Sequence, residues 1–133
     1  MAPSSEEVVR VRDVGYFRDL PHGDSAEISL RDARGSLAEH LVAPVVGYLT
    51  GGCTLAAAAG YAFDELHPAR PEIAPLAILT DGEWSWPNDL PYYVETYRVG
   101  LPEEFLRHAE ALGWRPPQLT AQRLAELAGE PDD

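Results

Sequence analysis

One stretch of eleven residues constrains the fold more than any other. Leu76 to Leu79 is a short apolar run, Asp81-Gly82 is a hairpin turn signal, and Glu83-Trp84-Ser85-Trp86 comes next with strict alternation. Successive side chains of a strand point to opposite faces, so Trp84 and Trp86 share one face of the returning strand. A β-hairpin over 76–86 is therefore expected.

The segments before it are less uniform. Val8 to Phe17 mixes β-branched, aromatic and charged residues and reads as a half-buried strand. Pro21-His22-Gly23-Asp24 reads as a turn. Ser36 with Glu39 spells a capping box, and Leu37, Leu41, Val45 and Tyr48 then fall at helical spacing. Gly51 and Gly52 stop that helix. Pro44 lies inside it, where a kink or two short helices meeting near Ala43 are expected. Leu55 to Ala59 is a small apolar run that fits a buried strand or a close-packed helix turn. Pro68, Pro71 and Pro75 then favour an extended connection.

Beyond the hairpin, helical signals dominate. Asn88 or Asp89 can cap a helix with Pro91 in its first turn, Tyr93, Val94 and Tyr97 on one face, and Gly100 at its end. Pro102 opens another, with Glu103 and Glu104 at its N-terminus and Phe105, Ala109 and Leu112 on one face. Thr120 caps a last helix whose buried face is Leu124, Leu127 and Ala128. The expected fold is α+β: a small antiparallel sheet with a central hairpin, packed by helices, and a mainly helical C-terminal half. Residues 8–129 form one globular domain, 1–7 a disordered tip and 130–133 an acidic tail.

Charge narrows the partners. The chain carries 22 acids against 10 bases, all of them arginine, for a net charge of −12. Phosphate recognition needs a basic face, so neither nucleic acid nor an anionic membrane surface is expected. A basic protein partner is compatible, because opposite charge speeds encounter. The single cysteine, Cys53, has no basic neighbour and reads as a structural thiol. No signal peptide is visible and no window approaches the roughly 20 apolar residues of a membrane span, so a cytoplasmic location is expected.

No motif with defined chemistry is present. Gly-x-Ser-x-Gly, the phosphate-binding loop and the dinucleotide fingerprint are all missing, and without lysine there is no Schiff-base chemistry on a lysine side chain. Asp64, Glu65 and His67 offer metal-ligand atoms but no second histidine lies nearby, while His22, His40 and His108 are scattered. Neither a metal nor a cofactor is expected. The segment that stands out is 80–93, where aromatic rings sit beside carboxylates. That composition suits a contact surface or a ligand pocket. The candidate surface is Asp81, Glu83, Trp84, Trp86, Asn88, Asp89 and Tyr92. Local structural uses compete with it: tryptophans covering the core, Asp81 making the turn, Asn88 or Asp89 capping a helix.

The run from Leu79 to Val94, the later Leu101-Pro102-Glu103-Glu104-Phe105-Leu106, and Tyr16-Phe17-Arg18-Asp19-Leu20-Pro21-His22-Gly23 together resemble a family of small uncharacterised actinobacterial proteins. The resemblance covers most of 16–116 and implies a stand-alone domain from a high-GC bacterium. It brings no activity and no catalytic residues. Size and acidity are also those of immunity proteins of bacterial toxin systems. The expected function is a non-enzymatic protein-binding domain, an immunity-like or regulatory partner of a more basic protein. The alternatives are self-association, or a small-ligand protein or enzyme with an acidic–aromatic pocket around 81–93.

Overall fold

A computed structural model describes residues 11–25 and 27–128. The tip at 1–7 and the tail at 130–133 lie outside the described residues. The fold is α+β. Its sheet has four strands in the order β1-β4-β3-β2: β1 is Arg12–Asp13, β2 Cys53–Phe63, β3 Glu72–Thr80 and β4 Trp84–Pro87. Strands β2, β3 and β4 pair antiparallel, and β1 joins β4 in parallel, so the sheet is mixed. The helices are α1 Leu30–Ala33, α2 Glu39–Thr50, α3 Leu90–Tyr97, α4 Glu103–Ala111 and α5 Ala121–Leu127. Among the described residues no helix is long and apolar enough to cross a membrane.

The hairpin forms where its sequence places it, with Thr80 opposite Ser85 and Leu79 opposite Trp86. Gly82 takes φ +102° in the turn, a conformation that excludes most side chains. Both tryptophans point into the core: Trp86 is fully buried and Trp84 nearly so. Phe105 of α4 meets both edge-on, at 5.3 and 5.7 Å between ring centres, and meets Tyr48 of α2 at 5.9 Å. The Trp86 indole N–H donates to the Leu49 carbonyl at 3.1 Å, so the largest core side chain keeps its one polar atom satisfied. Gly52 is required just below: a Cβ there would stand 2.7 Å from the Trp86 ring.

Other local expectations yield to tertiary contacts. The Val8–Phe17 strand is reduced, among the described residues, to β1, because the chain turns at Gly15 with φ +86°. The Ser36–Glu39 capping box does not form. Ser36 donates to the Ala33 carbonyl, while the N–H groups of Gly35 and Leu37 are taken by the carbonyls of Tyr97 and Arg98, so α2 starts from Ala38. Pro44 leaves α2 a single helix rather than two. Leu55 to Ala59 is strand, but it lies in the edge strand β2, and none of it is buried. The helix at 90 ends at Arg98 in the left-handed region, before Gly100. Thr120 caps α5 through a bond from the Arg123 N–H, yet no residue of α5 is buried.

Candidate functional site

The seven candidate residues divide sharply. Asp81, Trp84, Trp86 and Asp89 are buried; Asn88 and Tyr92 are partly buried; Glu83 is exposed. The tryptophans thus present core, not surface. Asn88 caps no helix. Its amide group bridges to β3, accepting from the Ala77 N–H at 3.0 Å and donating to the Pro75 carbonyl at 2.9 Å. Asp89 occupies the N-cap position of α3, but with helical dihedrals (φ −84°, ψ −10°) its side chain makes no capping bond.

Asp81 is the hub of one buried network. Its Oδ1 accepts from the Glu83 and Trp84 N–H groups at 2.9 and 2.7 Å, which closes the hairpin turn. Its Oδ2 accepts from the Tyr48 hydroxyl and lies 2.9 Å from His108 Nε2. Burial and the adjacent carboxylate together push the Tyr48 hydroxyl pKa well up. Both oxygens of Asp81 are thus in use, and the network ties α2, α4 and the hairpin together.

Asp64 repeats this design at the other end of the sheet. Oδ1 accepts from the Leu66 and His67 N–H groups at 2.9 and 3.1 Å, and Oδ2 accepts from the hydroxyls of Tyr92 and Tyr97 at 2.6 and 2.7 Å. Burial alone would raise the Asp64 carboxyl; the bonds from Tyr92, Tyr97, Leu66 and His67 outweigh it and hold the pKa below its ordinary value. Tyr93 completes the clamp, donating to the Phe63 carbonyl and accepting from the Glu65 N–H. The tyrosines of α3 therefore fasten the corner at 63–67. Among the described residues no group of three or more His, Cys, Asp and Glu could hold a metal ion.

Asp89 differs. It is 0% exposed, and His22 Nε2 stands 2.8 Å from its Oδ2. That contact lacks hydrogen-bond geometry, and among the described residues neither carboxylate oxygen nor His22 Nε2 has a hydrogen bond. The carboxylate is felt nearby: burial first, then Asp13 and Asp89, push the Tyr16 hydroxyl up to about 12 against the opposing bond with Ser85. His22 lines a groove of about 350 Å³ with Tyr61, Phe63, Glu65 and Arg70. A larger hollow of about 430 Å³ lies between Phe17 and Pro102, with Glu27 its one charged lining residue. No residue of 81–93 lines either one.

The β2–β3 ribbon is covered far less than β4, whose four residues are all buried. Only Ala62 in β2 and Thr80 in β3 are buried, and Glu72 is the one charged residue in the two strands. Tyr61 is 57% exposed. Strand β2 is an edge strand with an irregular pairing between Ala57 and Tyr61, where Gly60 has φ +86°. Such a bulge limits indefinite edge-to-edge pairing while leaving side chains available.

Sequence reasoning gave His22, His108 and Tyr48 no functional role. No local signal marks them, since their partners stand far away in the chain. Comparison with protein-family models, with curated proteins and with solved structures finds no match to this chain.

Proposed function

We propose that this protein is a non-enzymatic protein-binding domain, and that its contact face is the β2–β3 ribbon rather than the 81–93 segment. The observation that carries this reading is that only Ala62 and Thr80 of the ribbon are buried and only Glu72 is charged, in a chain of net charge −12. Apolar surface left uncovered on a highly charged protein marks a contact site. The partner is a protein with an apolar patch flanked by basic residues, which the acidic chain draws in at low salt. The 81–93 segment supports the reading indirectly: its tryptophans and aspartates build the platform from which the ribbon projects.

The test uses the tagged chain in its own host, at low and high salt, beside two variants. Tyr61→Asp places a charge on the ribbon at an exposed position, and its melting temperature should stay within about 2 °C of wild type. Glu83→Ala alters the exposed residue of the hairpin turn. A stoichiometric, salt-sensitive partner retained by Glu83→Ala and lost by Tyr61→Asp is the expected result. A partner held equally by Tyr61→Asp, or a chain recovered alone, contradicts the assignment.

A further inference from the structure

We propose that His22, backed by Asp89, is the hydrogen-bonding contact of a binding site for a small uncharged molecule with an apolar body and a hydrogen-bonding end, seated in the groove between the 21–22 turn and the far end of β2. This goes beyond the protein-binding reading and does not depend on it.

Three observations carry it. First, Asp89 is a fully buried carboxylate with no hydrogen bond on either oxygen among the described residues, whereas Asp64 and Asp81 of the same chain use both of theirs. A buried polar group left unbonded is unfavourable by about 1–3 kcal/mol, so it calls for a role other than holding the fold. Second, the group it faces is an imidazole that lines an open groove. Nε2 is turned to Asp89, which leaves Nδ1 as the ring's other hydrogen-bonding atom. Polar pairs at binding sites are often poorly aligned until a ligand is bound, and a small ring rotation would bring Nε2–H onto Asp89 Oδ2. Third, the groove has the right size and lining. Its volume of about 350 Å³ is within the range of small-ligand sites, and Tyr61, Phe63 and Leu76 give it an apolar floor.

The charges select the ligand class. The Asp89 carboxylate stands behind His22 at 2.8 Å. Arg70 is matched by Glu65 through two bonds at 2.8 and 3.1 Å, with its guanidinium over the Phe63 ring at 5.1 Å. An anion would meet the Asp89 and Glu65 carboxylates, and a cation would meet the Arg70 guanidinium. A neutral amide or heterocycle meets Nδ1 with a donor or an acceptor and avoids both.

The test is a titration of the purified full chain, monitored by amide NMR shifts, with benzamide as probe and benzoate and benzylammonium as charged probes of similar shape. Benzamide should give saturable shifts at 22, 61–63 and 70, at least ten-fold tighter than either ion. His22→Ala should abolish them and His22→Gln should restore part, since glutamine keeps a hydrogen-bonding end. No saturable shift, equal affinity for an ion, or an unchanged response in His22→Ala would overturn the proposal. The probe ranking on the wild-type chain stands even if a variant does not fold. Because no partner protein is present, failure here leaves the ribbon reading intact, and loss of the ribbon reading leaves this result unchanged.

Discussion

Asp81 and Asp89 stand at the two ends of β4. Both are buried, and both have a histidine nitrogen within 3 Å, His108 for Asp81 and His22 for Asp89. The likeness ends there. Asp81 accepts from two backbone N–H groups and a tyrosine hydroxyl besides its histidine; Asp89 accepts none. Burial and a histidine neighbour are thus the same in the two places, and only the count of bonds separates a fastener from an unspent carboxylate. The turn geometry explains the split. Asp81 precedes a tight hairpin turn whose N–H groups fold back on its side chain. Asp89 already has helical dihedrals, which carry its side chain away from the N–H groups of α3.

The comparison can be broken most directly at Asp81. Asp81→Asn keeps size but supplies one acceptor oxygen where two were used, leaving the Tyr48 hydroxyl and His108 competing for an amide. A loss of about 3 kcal/mol is expected in chemical denaturation, and a loss under about 1 kcal/mol would remove the fastener role. Tyr48→Phe deletes one bond of the same network and keeps the ring packed on Phe105. It should lose about 1–2 kcal/mol, a smaller effect than at Asp81.

Asp64 sharpens the comparison by pH. Its carboxyl is held below its ordinary value in the folded chain, so the stability it contributes is complete above the unfolded pKa of about 3.9 and is lost as pH falls through the lower folded value. Between about pH 5 and 2 the wild-type melting temperature should fall more steeply than that of Asp64→Asn. Parallel curves would mean that the tyrosine bonds do not favour the ionised form.

Features that depend on neighbours in the chain were legible in the sequence, and features that depend on distant partners were not. The hairpin is local: Asp81-Gly82 sets the turn, alternation sets the tryptophan face, and both form as expected. Helix periodicity placed α2, α3 and α4 for the same reason. The capping box at Ser36 misled because the end of α3 claims the backbone of 35–37. Asn88 read as a cap because its pull toward the backbone of β3 is a tertiary contact. Leu55 to Ala59 is as apolar as a core strand, yet its alanines lie on an edge that nothing among the described residues buries. The aromatic–acidic segment drew attention for its composition, and its residues serve mainly the core. His22 sits in an ordinary turn motif, and only folding brings it to Asp89.

The most direct test of this division between the two aspartates is the unfolding free energy of Asp89→Asn, measured beside Asp81→Asn near neutral pH. Asp89→Asn gives up only the misaligned contact with His22 at 2.8 Å and removes a buried carboxylate, so it should stay within about 1 kcal/mol of wild type or gain stability. A loss of about 3 kcal/mol, equal to that at Asp81, would show that Asp89 is a fastener of the same kind and would contradict the account.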